Sequence, residues 1–265
     1  MKVHGECNKG GSSKMTTDVG NKFVLLMTGR SGSAWVMSTL SRLQHVTTHE
    51  ALFLRRARTS ERTWDSDFAY PRFVETKSNS LTFRPFSVFL YLNALYNTPG
   101  AVGFKLNYAQ LGQYPEVLAY LFKHRIRVVH LFRRNHLDVL ISWAVKTKTG
   151  QAHLLAGQSV PDDLRVEIDT KNLLKQLAWM QKRLSLVRKL LNWCRLPHLE
   201  VAYEDLLHDR AHFGCILDFL SIKPEGGIPQ SNVVKIRRGG HCDVIRNYDQ
   251  VKEVLANSKF AGLLE

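Results

Sequence analysis

Residues 23 to 35 read Phe23-Val24-Leu25-Leu26-Met27-Thr28-Gly29-Arg30-Ser31-Gly32-Ser33-Ala34-Trp35, an apolar run that stops at a turn rich in glycine and hydroxyls. A run of this length bounded by turn residues predicts a strand buried on both faces within a parallel sheet. Beyond it Trp35, Val36, Met37, Leu40 and Leu43 recur at helical spacing, so the unit is strand, tight turn, helix. The turn carries its own chemistry. Gly29, Ser31, Gly32, Ser33 and Ala34 are small enough for the backbone to approach an anion closely. The following helix directs unpaired N–H groups and a positive dipole end at that anion. Arg30 adds a full charge on a planar donor fork, and the Ser31 and Ser33 hydroxyls can donate to phosphoryl or sulfuryl oxygens. An ATP- or GTP-hydrolysing loop places a lysine after its second glycine; here Ser33-Ala34-Trp35 follows Gly32, which disfavours that chemistry.

The alternation continues downstream. Ala101-Val102-Gly103-Phe104, residues 126–132 and residues 198–202 predict three further strands, with Val128, Val129 and Leu131 suited to a sheet. Helices are expected at 114–123, entered through Pro115, from Leu137 to Val145, over 171–193 and over 211–220. Leu173, Leu174, Leu177, Met180, Leu184, Val187 and Leu191 give the long one an apolar stripe for the core. Strands alternating with helices indicate an α/β fold, a three-layer α/β/α arrangement around a central parallel sheet like that of phosphate-loop proteins. No repeat or linker divides the chain, so 22–265 reads as one domain behind a Gly-, Ser-, Lys- and Thr-rich tail at 1–21. Residues 55–85 and 146–170 read as irregular segments of the kind that shape binding sites.

The 265-residue chain has a formal net charge of +14, which calls for an anionic partner, on an otherwise ordinary globular composition of 44% apolar and 23% charged residues. Cys7, Cys194, Cys215 and Cys242 lie far apart with no CxxC pair. Neither a zinc site nor a disulfide framework is expected, and a reducing, cytoplasmic setting fits best. Residues 1–22 hold no apolar run of signal-peptide length, and nowhere do about 18 apolar residues run uninterrupted. Neither a secretion signal nor a membrane span is expected.

A second anion-holding pattern stands a hundred residues on, in Val128-Val129-His130-Leu131-Phe132-Arg133-Arg134-Asn135-His136-Leu137-Asp138-Val139-Leu140-Ile141-Ser142. A residue at a strand end and one a helical turn or two later can converge on one anion. Arg134 supplies charge-assisted hydrogen bonds and Ser142 a hydroxyl, while Asp138 suits capping the backbone or orienting an arginine. Two shorter segments follow, Tyr203-Glu204-Asp205-Leu206 after a strand and Lys235-Ile236-Arg237-Arg238-Gly239-Gly240. In this order the four segments resemble those of the sulfotransferases that use 3'-phosphoadenylyl sulfate (PAPS). The arginine-serine-glycine start at Arg30 is similar to carbohydrate and bacterial members; His136 departs by replacing the family's proline.

The resemblance implies transfer of a sulfuryl group from PAPS to a hydroxyl, leaving adenosine 3',5'-bisphosphate (PAP), with no metal. It implies Arg30, Ser31, Gly32, Ser33, Ala34 and Trp35 around the 5'-phosphosulfate, with Trp35 a stacking platform for the base or a core residue. Arg134, Ser142, Arg237, Arg238 and Gly239 fall to the 3'-phosphate, and Tyr203 to the adenine; Glu204 and Asp205 read as structural. The general base is Glu50, following the first helix as in carbohydrate and bacterial members, with His49 in reserve. The histidine of cytosolic members is replaced by Asn107, two residues after Lys105, which stands on the acceptor side. The acceptor is expected to be a small hydroxylated metabolite or natural product, with sugar or lipid-linked hydroxyls left open. Two rivals remain: a phosphate-loop small-molecule kinase, and a basic nucleic-acid binder, the latter disfavoured because the basic residues flank two separate turns.

Overall fold

The apolar run becomes β1 (Lys22–Met27), and its serine-led successor α1 (Ser33–Leu40). Then come β2 (Val46–His49), α2 (Phe73–Lys77), α3 (Arg84–Tyr96), β3 (Ala101–Asn107), α4 (Tyr108–Gln113), α5 (Pro115–Lys123) and β4 (Arg127–Phe132). The second half contains α6 (His136–Thr149), β5 (Leu154–Leu155), α7 (Leu173–Trp193), β6 (His198–Ala202), α8 (Tyr203–His208) and α9 (Ala211–Leu220). β7 (Val233–Val234), α10 (His241–Val244), α11 (Tyr248–Ala256) and a 3-10 turn at Ala261–Leu264 close it. The structure, a computed structural model, describes residues 21–50, 52–54, 70–77, 83–150, 154–155, 164–209, 211–231, 233–234 and 239–264. No helix among them is long and apolar enough to cross a membrane.

Five strands form one all-parallel sheet in the order β2-β3-β1-β4-β6. Strand alternation divides their side chains between two layers. Val24, Leu26, Phe104, Leu106 and Val128 pack beneath α3, α5 and α7; Phe23, Leu25, Met27, Val129 and Leu131 pack beneath α1 and α9. This is the expected α/β fold with helices on both faces of a parallel sheet. Gly103 has a specific job within it: the Phe23 ring lies where a Cβ would stand, only 2.1 Å away, so the ring crosses the neighbouring strand.

β2, α3, α11 and the end of α6 were not expected from the sequence. Val46-Thr47-Thr48-His49 is a short, half-polar edge strand, stabilised mainly by its pairing with β3. α3 hides its helical period because Phe83, Phe86 and Leu90 on its outer face are apolar as well. Lys146 to Thr149, the expected start of an irregular segment, are instead the last turn of α6, which ends where Gly150 adopts the left-handed conformation at φ 69. Leu174 and Met180 leave the predicted buried stripe of α7, Leu174 being exposed, whereas Leu173, Leu177, Leu184, Val187 and Leu191 are buried.

Two buried imidazoles make stability depend on pH. His130, in the middle of β4, meets the Tyr108 hydroxyl through Nε2 and lies 3.3 Å from Glu200 through Nδ1. Burial lowers the pKa of both His130 and His49 to about 4. In the unfolded chain a histidine titrates near pH ~6.5, so between there and about pH 4 the unfolded state binds the extra protons. Stability is therefore full above the unfolded value and is lost as pH falls through that window, by at most about 1.4 kcal/mol per pH unit for each imidazole. Urea midpoints are expected to drop steadily from pH 7 to pH 4.5, and a level profile would contradict the burial of neutral imidazoles.

Candidate functional site

The sheet order sets the position of the site. From β1 the chain turns toward β2, on one side; from β4, the neighbour of β1, it turns toward β6 on the other. The turns leaving two adjacent parallel strands thus diverge at their carboxyl ends, the place where open α/β sheets hold ligands. Met27 pairs with Leu131, so the Arg30 turn and the Arg133-Arg134-Asn135 turn begin side by side.

Gly32 caps α1 with φ 83, offers no side-chain cap, and is followed by no acid in the first turn, leaving the helix end electropositive. The Tyr203 ring occupies the space that a Gly32 Cβ would need, at 2.1 Å, so only glycine fits. Arg30 itself has φ 67, a conformation costing a residue with a Cβ about 1–2 kcal/mol. Such strain persists only where the surroundings impose it. Its Nε donates to Ser142 Oγ at 2.8 Å. Burial, then the neighbouring Arg133 charge, lowers the Arg30 pKa to about 10, so it remains a cation at neutral pH. Two guanidiniums drawn close favour an anion. Ser31 turns its hydroxyl inward to the Thr28 carbonyl at 2.8 Å and so shapes the turn. Ser33 and Ala34 are buried in the first turn of α1.

The turn after β4 is built from its acidic neighbours. Glu204 accepts the backbone N–H groups of Arg134 at 3.1 Å and Asn135 at 3.3 Å. Asp205 takes the Arg134 guanidinium in a two-pronged pair at 2.5 and 2.6 Å. Arg134 is thus more than half exposed and directed at α8, while Arg133 faces Arg30. Strand alternation explains the choice: Arg133 continues the face of Val129 and Leu131. Its guanidinium stacks on Tyr203 at 4.4 Å, and its Nε is buried with no hydrogen-bond partner among the described residues. Asn135 caps α6 by accepting from the Asp138 N–H. Asp138 pairs with His241 at 3.0 Å, tying the residues after Gly240 to α6.

On the far side of β1, Glu50 follows β2 and forms an ion pair with Lys105 of β3 at 2.8 Å. The other carboxylate oxygen, Oε1, is buried without a hydrogen-bond partner among the described residues. Parallel strands stand about 4.8 Å apart, so the ends of β2 and β1 are roughly 10 Å from each other across β3. His49 belongs to the opposite face, as strand alternation requires, with its ring 5.5 Å from that of Tyr70. Asn107 is spent on a capping box that starts α4.

Arg30, Ser142 and the α1 terminus are therefore together, and Glu50 and Lys105 are paired. Tyr203 is buried against Gly32 under Arg133, a support for the turn, and Trp35 sits edge-on to Phe213 at 5.7 Å among core residues. Gly239 is exposed beside Asp243; Arg237 and Arg238 lie outside the described residues, as do most of 55–85 and 156–163. Arg133, which the alternation Val129, Leu131, Arg133 marks, and Trp143 join the site beyond the residues expected from the sequence. That indole lies 2.7 Å from where a Gly29 Cβ would be and is partly exposed beside the turn. Among the described residues no three His, Cys, Asp or Glu side chains are grouped to hold a metal ion. No family model and no curated protein matches the chain.

Proposed function

We propose that the protein is a sulfotransferase that moves a sulfuryl group from PAPS to the hydroxyl of a small acceptor. The observation that carries it is the 2.8 Å hydrogen bond from Arg30 to Ser142, which joins the two anion-holding segments on one crevice. A donor with phosphates on both the 3'- and 5'-oxygens of its ribose needs such a double grip. Arg30, Arg133 and the α1 N-terminus supply fixed positive charge where the sulfuryl and 5'-phosphate oxygens would lie. Ser142 and the 237–239 segment serve the 3'-phosphate, and Arg134 joins them by exchanging Asp205 for it. The acceptor oxygen attacks sulfur in line, the sulfur–oxygen bond to the 5'-phosphate breaks, and Glu50 takes the acceptor's proton. Lys105 holds Glu50 in place and faces the transferred oxygens. A cytoplasmic enzyme acting on a small metabolite remains the setting that suits this chemistry.

The test is nucleotide preference, followed by transfer. PAP is expected to raise the melting temperature well beyond adenosine 5'-phosphate or ATP with magnesium; saturation at a hundred times Kd stabilises by about 2.7 kcal/mol. Equal shifts with and without the 3'-phosphate would remove the second half of the site, and a preference for ATP with magnesium would favour a kinase. Labelled sulfate from PAPS, offered with a panel of hydroxylated metabolites, then identifies the acceptor.

A further inference from the structure

The layer of α3, α5 and α7 carries a surface that the proposed chemistry does not use. Trp193 is 81% exposed, Phe83 71% and Phe86 66%; Leu90, Phe122, Trp179 and Leu186 are exposed as well. They lie on helices that pack over the same side of the sheet, and on α3 and α7 they form stripes. Phe83, Phe86 and Leu90 are spaced at i, i+3 and i+7, so they line one side of α3 and its N-cap. Trp179, Leu186 and Trp193 repeat every seven residues, a single stripe running about 21 Å along α7. The opposite side of α7 buries Leu173, Leu177, Leu184, Val187 and Leu191, so this helix is apolar on two faces.

Charge identifies the occupant. α7 contains Lys175, Lys182, Arg183, Arg188 and Lys189 and no acidic residue. Lys175, Lys182 and Arg183 are three or four residues from Trp179, and Lys189 three from Leu186, so cations flank the stripe. Nearby carboxylates are engaged: Glu116 by Arg84 at 2.5 Å and Glu200 by Arg188 at 2.9 Å. We infer that this face docks on the surface of an anionic lipid bilayer, with the aromatic and leucine side chains at the headgroup boundary and the lysines and arginines against the lipid charges. A second copy would bring like-charged faces together. RNA would use the aromatic faces but gain no stacking from Leu90 and Leu186, whose apolar surface a bilayer does accept. The face also reaches the edge of the sheet where the candidate site lies, since the Arg183 guanidinium sits 5.8 Å from the ring of Tyr108, the residue after β3. The inference stands whether or not the protein transfers sulfate.

Co-flotation of the full chain with vesicles tests it, comparing phosphatidylcholine alone with phosphatidylcholine containing phosphatidylserine. Wild type is expected on the anionic vesicles and not on the neutral ones. Replacing Lys182→Gln with Lys189→Gln is expected to lower partition about 25-fold, at roughly fivefold per neutralised charge. Trp179→Ser with Trp193→Ser is expected to lower it about a hundredfold, since each indole leaves the boundary. These side chains are exposed, so melting temperatures should match wild type; the comparison of wild type on the two vesicles holds even if a variant misfolds. Failure of wild type to float with anionic vesicles, equal flotation with neutral ones, or undiminished binding by both folded double variants would overturn the inference. So would tryptophan-dependent binding to single-stranded RNA, or self-association, in place of vesicle binding.

Discussion

Glu50→Gln is expected to lower sulfuryl transfer by about 10²–10⁴-fold while PAP affinity stays as in wild type. The substitution keeps the shape and can still accept from Lys105, which holds Glu50 Oε2 at 2.8 Å. It removes the one property the step needs, a carboxylate able to take the acceptor's proton. Oε1 is the oxygen placed for it, being buried and without a partner among the described residues. His49→Gln supplies the contrast. Its imidazole lies on the other face of the strand, against Tyr70, and burial lowers its pKa to about 4, which makes it a weak base. Turnover in that variant should change little once its stability is accounted for. The opposite ranking, measured as kcat at saturating PAPS, would transfer the role to His49.

Arg30→Gly is expected to abolish most activity without unfolding the protein. Arginine at φ 67 stores about 1–2 kcal/mol of backbone strain that glycine does not feel. Removing it also ends the repulsion from Arg133 that, after burial, lowers its pKa. Against these gains stands the lost hydrogen bond to Ser142, worth about 1.5–3 kcal/mol for a charged donor. Strain relief offsets much of that hydrogen bond, so the variant should still fold although Arg30 has further interactions to lose. Turnover, by contrast, should fall about 10²–10³-fold, the usual cost of removing one preorganised donor from a developing charge. Arg30→Lys should fail to rescue it, because an ammonium retains the strain and lacks the fork that reaches Ser142 and an anion at once. A large loss of stability with activity intact would assign Arg30 to the fold instead.

What the chain alone determined is local. The apolar run at 23–27 ending in small residues reads as a buried parallel strand and a tight turn, because a strand buries both faces of so short a segment. The spacing from Arg134 to Ser142 likewise fixed a strand end and a helix, and β6 and α9 run over the residues read from their sequences. Short or mixed segments gave no such signal: β2 exists through its pairing with β3, and α3 is apolar on two sides, so its period is blurred. The site depended further on alternation and register. Which of two consecutive arginines faces Arg30, and which of His49 and Glu50 meets Lys105, turns on which side of a strand each residue occupies. That side is set by which face of the sheet each helix covers. Only the packed sheet decides that, by placing Arg134 on Asp205, Arg133 over Tyr203 and the Tyr203 ring where Gly32 has no Cβ.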